Sequence, residues 1–280
     1  MRRLLVILFL MVLFTGSHAP KNDQQKVLRV LNVMFDSIKS IQSLSTHIQA
    51  LERLGTSFLN AESEIKLQCK PRKLYFINPA KKLEILYDSE RSTKAIVKPH
   101  VFPYLTVHLD PNGNIMRKNQ HYTIHQLGFD FIARSIALTL KNEKESLEHF
   151  KYMGRVQQNG IMCHLLIFED ESYHYRSYTV GEKESVTSLA YKLCVNDYLL
   201  REKNNLLNDF GLLKKGQLLM VPNLYCRKAV LYVDEQKMLP VNVSLFDEKG
   251  VFENYTFSHT RVNLHFGPQV FDVGNKEYNF

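Results

Sequence analysis

Between residues 44 and 97 the chain breaks into five short segments rich in Leu, Ile, Val, Tyr and Phe, at 44–53, 58–69, 72–77, 83–87 and 94–97. They are separated by Gly55, Pro71, Asn78-Pro79 and the charged stretch 88–92. Turns this short leave no room for a crossover helix, so the segments are expected to pair as antiparallel hairpins. The same pattern returns at 155–158 and 161–168 around Asn159-Gly160, a strong two-residue turn signal, and again at 229–233, 241–246, 251–257 and 260–263. Two helical stretches interrupt it. Val27, Val30, Leu31, Met34, Ile38 and Ile41 recur at helical spacing, and a second helix is expected over about 120–150, after a loop at 99–114. Helices set among about eleven consecutive antiparallel strands predict an α+β fold, a large curved antiparallel sheet with helices laid across one face. Such a sheet encloses an apolar hollow.

Composition and targeting signals bound the function. With 45% hydrophobic and 23% charged residues in 280, the chain has the balance of a water-soluble globular protein. Arg2-Arg3, the apolar run Leu4 to Phe14 and Ser17-His18-Ala19 have the layout of a secretory signal peptide at 1–19. Its removal lowers the net charge from +8 to +6. Ser17 stands where a lipoprotein signal would carry its acylated Cys, so the expected product is exported and not lipidated, a periplasmic protein. The remaining Lys and Arg are scattered, which argues against nucleic-acid binding.

The stretch 178–222 behaves differently. Tyr178-Thr179-Val180 reads as a strand, Val186, Leu189, Ala190 and Leu193 as a helix, 198–204 as a second helix, and 213–222 as a closing strand: a βααβ unit. Tyr-x-Val, the Leu189-Ala190 pair, Val195, Leu199, Asn204 and Leu213-Lys214-Lys215-Gly216-Gln217-Leu218-Leu219-Met220-Val221-Pro222 resemble the LysM module, which binds N-acetylglucosamine-containing glycans such as peptidoglycan. Lys183 departs from the pattern, where that family usually has Gly, and 204–216 is longer than usual. By this resemblance the glycan lies between Glu184, Ser185 and Val186 on one side and Asn205, Leu206 and Leu207 on the other.

A second resemblance covers most of the rest. Leu109-Asp110-Pro111-x-Gly113, Met116 to His121, Thr123-Ile124-x-x-Leu127-Gly128-Phe129, Val230 to Asp234, Leu239-Pro240, and Tyr255 with Phe257 are similar to an uncharacterised family of exported Bacteroidetes proteins carrying a LysM module inside a host domain. That host resembles the half-barrel of the LolA/LolB-like lipoprotein carriers, whose concave face holds acyl chains, and the resemblance makes the helix-covered face of the curved antiparallel sheet its concave side. The implied layout is a host domain at 20–177 and 223–280 around the insert at 178–222. The implied function is non-enzymatic binding of peptidoglycan-type glycan. The alternatives are carriage or sensing of a lipid or lipoprotein acyl chain in the half-barrel, and a scaffold in envelope assembly.

Catalytic patterns are missing. His121 and His125 stand four apart, but Tyr122 replaces the Glu of a zinc protease and no carboxylate recurs at ligand spacing, so both are expected to be solvated or capping side chains. No Gly-x-Ser-x-Gly turn or phosphate-binding Gly loop occurs, and Cys163 and His164 should point to opposite faces of one strand. No catalytic residue, metal site or cofactor is expected. The four cysteines allow three pairings, of which Cys194 with Cys226 is the one expected if any forms. Asn242 and Asn254 each begin an N-glycosylation pattern, yet both fall in expected strands.

Overall fold

The structure, a computed structural model, describes residues 21–142 and 146–280; the leader expected at 1–19 lies outside them. Helix α1 (Lys21–Lys39) is followed by β1 (Ser43–Leu54), β2 (Ser57–Gln68), β3 (Lys73–Asn78), β4 (Leu83–Asp88), β5 (Ala95–Pro99) and β6 (Val107–Leu109). Short helix α2 (Asn114–Arg117) and helix α3 (Asp130–Asn142) lead to β7 (Phe150–Gln158) and β8 (Ile161–Glu169). Then come β9 (Tyr175–Thr179), α4 (Val186–Leu193), α5 (Asp197–Lys203) and β10 (Leu218–Pro222), and finally β11 (Lys228–Asp234), β12 (Pro240–Asp247) and β13 (Gly250–Val262).

Eleven of these strands form one curved antiparallel sheet in the order β6-β5-β4-β3-β2-β1-β13-β12-β11-β8-β7. The fold is α+β. Neighbouring hairpins account for most of the order, but two pairings are not sequential. β13 closes onto β1, and β8 pairs with β11 across the whole β9–β10 segment, so the sheet continues past it. Strands β9 and β10 pair only with each other among the described residues.

Several sequence expectations need correction. The expected loop at 99–114 contains β6, paired with β5, and α2 starts at its last residue. The two strands expected at 251–257 and 260–263 are one, because β13 passes the break through a bulge at which His259 takes φ 53°. The helix expected over 120–150 is divided: Thr123 and Gln126 form a capping box around a 3-10 turn at Ile124–Gln126, Gly128 turns at φ 105°, and α3 starts afterwards. Helix α1 ends at Lys39, which leaves Ile41 past it. All four cysteines are free, so the Cys194–Cys226 pairing does not form.

The core follows from strand alternation. Tyr255 and Phe257 of β13 face inward, while Asn254 and Thr256 face out and bond to Asn242, and Asn254 also to Ser244. This outer ladder engages both asparagines of the glycosylation patterns. Val27, Val30, Leu31, Met34 and Ile38, the stripe read from the sequence, pack on the inner face. The outer face of β3–β5 is covered instead by the C-terminal segment, where Tyr278 stacks on Tyr75 with ring centroids 3.8 Å apart. The βααβ unit has its own small core of Val180, Val186, Leu189, Leu200, Leu219 and Val221.

Candidate functional site

Helix α3 lies over the inner face of β8 and β11–β13 without filling the space beneath it. A cavity of about 140 Å³ remains, walled by Phe131, Ile132 and Ile136 of the helix and by Leu166, Leu231, Val243, Leu245 and Phe257 of the sheet. Phe131, Ile132 and Ile136 are only half-buried, which places solvent at that edge. The volume is close to that of an engineered cavity that stays dry and binds benzene, about 150 Å³. A larger depression of about 750 Å³ on the outer face is polar, and its Gln49 and Glu62 already bond to one another.

One end of the chamber carries three tyrosines. Tyr122 donates to Glu253 Oε2 at 2.5 Å and lies 2.8 Å from the hydroxyl of Tyr225, while Tyr255 donates to Glu52. Burial first, and the neighbouring carboxylates with it, push all three phenols well above their usual range, so they remain protonated. Burial also raises the Glu52 carboxyl, against the charge of His121.

Behind these hydroxyls His121 is wholly buried, contrary to the expectation of a solvated side chain; His125 is exposed. Nδ1 of His121 lies 2.6 Å from Glu253 and Nε2 lies 2.9 Å from the Arg53 carbonyl. Both ring nitrogens face acceptors, an arrangement that assigns a proton to each. Burial opposes that charge, but the bond to Glu253 and the charges of Glu253 and Glu52 outweigh it and raise the pKa. The pattern spacing that paired His121 with His125 therefore has no common helix face behind it. Among the described residues no group of three potential metal ligands occurs.

The βααβ unit closes over this cluster. Asn196 caps α5 through its Oδ1, accepting from Tyr198 and Leu199 N–H, and its amide donates to Glu253 at 3.0 Å and to Tyr225 at 3.3 Å. Tyr198 stacks on His121 at 4.3 Å, Phe252 also packs against that imidazole at 4.5 Å, and the Tyr198 hydroxyl accepts from Gly55 N–H in the β1–β2 turn. Asp197 sits between the buried guanidinium groups of Arg117, at 3.1 Å, and Arg201. The 3.1 Å approach is an ion contact without hydrogen-bond alignment, since the Arg117 nitrogens and Asp197 oxygens have no hydrogen-bond partner. Burial, then the charge of Arg117 against the pull of Asp197, brings Arg201 down to about 10. Arg53 makes a buried pair with Asp247 on the same side.

The residues proposed for glycan binding are placed unevenly. Glu184 is tied to Tyr178, to Gly181 N–H and to Lys192, and Ser185 caps α4. Val186 is fully buried in the unit's own core, so it presents no surface to a ligand. Asn205 and Leu207 are exposed, and Leu206 is half-buried against that core. None of the six lines the chamber or the outer depression. Lys183 takes φ 57°, the left-handed conformation that explains Gly at this turn in LysM modules.

The sequence reading anticipated an apolar hollow but named none of its lining. One signal was available: in Phe252-Glu253-Asn254-Tyr255-Thr256-Phe257 an acid occupies the inward phase of an otherwise apolar strand face.

An antiparallel sheet with an apolar chamber under one helix defines the class. Residues 41–182 match DUF1571, a family of proteins of unknown function, and the chain belongs to that family. The matched region runs from β1 into the turn after β9, leaving α4, α5 and β10 outside it. No curated protein matches. Among solved structures the chain is similar to lipoprotein LppX of Mycobacterium tuberculosis, with 11% identity, a TM-score of 0.42, and 87% of this chain and 99% of that one covered. It is also similar to LprF of Mycobacterium bovis, with 9% identity, a TM-score of 0.43 and coverage of 88% and 97%. A DUF1329 family protein from Desulfovibrio piger matches with 12% identity, a TM-score of 0.34 and coverage of 90% and 98%. No helix of the described residues is long and apolar enough to cross a membrane.

Proposed function

We propose that the protein is a non-enzymatic carrier or sensor, exported to the periplasm, that holds a lipid or the acyl chain of a lipoprotein between α3 and the sheet. The observation that carries this reading is the apolar chamber, left unfilled beneath a half-buried helix in an otherwise packed core. An acyl segment entering it gains about 0.8 kcal/mol per methylene removed from water. The half-buried edge at Ile132 and Ile136 supplies an entrance for the ligand.

Ala229, a small residue of the lining, gives the test. Wild-type protein is expected to bind the neutral fluorophore N-phenyl-1-naphthylamine and to release lipid on organic extraction. Ala229→Phe, which fills the chamber, is expected to lower fluorophore affinity at least tenfold. A wild-type protein that binds neither fluorophore nor lipid rejects the reading.

A second reading keeps peptidoglycan binding for the βααβ unit, favoured by the left-handed turn retained at Lys183 and by exposed Asn205 and Leu207. Sedimentation with purified peptidoglycan that is lost in Leu207→Asp, at unchanged melting temperature, supports it. If wild-type protein stays in the supernatant the unit serves only as structure. An envelope-assembly scaffold is the reading left if neither ligand binds.

A further inference from the structure

We infer that the chamber selects an uncharged amphiphile whose polar end carries a hydrogen-bond donor, an alcohol, glyceride or amide, and rejects carboxylate- and phosphate-headed lipids. The inference rests on the lipid-binding reading above and names the ligand class for that same chamber.

Nearly every polar proton on the chamber wall is already committed. The lining contains no Lys, Arg or His. Tyr122 commits its proton to Glu253 and Tyr255 commits its proton to Glu52. With the Tyr122 proton spent, the 2.8 Å contact between Tyr122 and Tyr225 is made by the Tyr225 proton, and Tyr225 in turn accepts from Asn196. All three hydroxyls therefore offer the chamber lone pairs only.

The remaining polar groups repeat the pattern. Ser135 donates to the Phe131 carbonyl at 2.9 Å and Thr139 to the Ser135 carbonyl at 3.0 Å, so the α3 hydroxyls are spent on their own helix. The carboxamide of Gln126 accepts from Thr123 N–H, which leaves its neutral NH₂ and the weak S–H donor of Cys226 as the uncommitted side-chain donors on the lining, neither of them charged. His121, behind the tyrosines, has both nitrogens occupied and two aromatic rings packed against it.

An anionic headgroup placed here loses its water and meets oxygen lone pairs backed by Glu52 and Glu253. A buried charge without a partner is strongly disfavoured. A hydroxyl or amide N–H instead finds acceptors whose own protons are fixed, so it needs no rearrangement of the site.

The test compares decanol with decanoate at pH 8, each displacing N-phenyl-1-naphthylamine from the full chain. Decanol is expected to displace the fluorophore at a concentration at least tenfold lower than decanoate. Tyr255→Phe is expected to weaken decanol at least fivefold, and Tyr122→Phe serves if the first variant does not fold. Decanoate competing as well as decanol, with the fluorophore bound, overturns the headgroup inference and leaves the chamber reading standing. Failure of the fluorophore and both amphiphiles to bind overturns both together.

Discussion

The chamber under α3 and the seam under α5 use the same strands and have opposite chemistry. β13 gives Tyr255 and Phe257 to the chamber but Phe252 and Glu253 to the seam, and β12 gives Leu245 to one and Asp247 to the other. Apolar contacts are non-directional and tolerate a gap. Buried charges do not, because each unpaired group forfeits its hydration. The seam is therefore closed by specific partners, His121 with Glu253 and Arg117 with Asp197, while the chamber is held open between groups that tolerate vacancy. The difference assigns anchoring to the seam and ligand exchange to the chamber, and each region can be broken without the other.

The largest effect is expected at Asp197. Asp197→Ala leaves Arg117 and Arg201, both essentially without solvent exposure, facing each other unpaired. Removing one partner of such a cluster costs about 3–5 kcal/mol. Urea unfolding should show that loss, and fluorophore affinity measured below the transition should stay within twofold. A loss under 1 kcal/mol would mean that the seam is not the anchor.

Excision of residues 178–222 with a short Gly/Ser bridge sharpens the comparison. The ends are close, since Tyr175–Thr179 pairs with Leu218–Pro222, and β8 bonds directly to β11. The excision uncovers Phe252 and removes Tyr198 and Leu199 from it, yet it also returns Arg117 to water. A cooperative host domain weaker by about 2–3 kcal/mol is expected, the scale of uncovering one large apolar side chain. Loss of cooperative unfolding would make the unit part of the host core.

Ala229→Phe acts on the other side. Added volume enters empty space, so its stability should change by less than about 1.5 kcal/mol in either direction while ligand binding falls. Destabilisation beyond that would show that the chamber collapses around Ala229 in solution.

What the sequence disclosed divides along the same line. The hairpins of β1–β5, the α1 stripe and the βααβ spacing were legible because turn residues and periodicity are local. The chamber was legible only as the hollow that a curved sheet implies, since its width is set by how α3 docks. His121 was misread because its partner Glu253 is 132 residues away, and the same spacing suits a solvated histidine. The β1–β13 pairing was hidden for the same reason, since it joins opposite ends of the chain. Val186 was assigned to a glycan wall by resemblance, whereas the apolar spacing Val186, Leu189, Ala190 already suited a core face.

The smallest effect expected is a pH dependence that isolates the seam. The folded state raises the pKa of His121, so its contribution is fully present below the unfolded value of 6.5 and declines as pH rises through the folded value. His125 and His164 shift the other way, lowered first by partial loss of hydration around their rings, and their effect is complete once pH exceeds 6.5. Burial raises the thiols of Cys194 and Cys226, which matters only near and above their ordinary value of 9.0. Between pH 6.5 and 8 the falling contributions come from His121 and from Glu52, whose carboxyl the fold also raises, each with a slope of at most about 1.4 kcal/mol per pH unit for one proton. Unfolding free energy measured across that window should decline more steeply in the wild type than in His121→Gln, while the affinity of a neutral ligand for the chamber should not move in either. A wild-type stability that rises with pH there would mean that the fold does not hold a proton on His121.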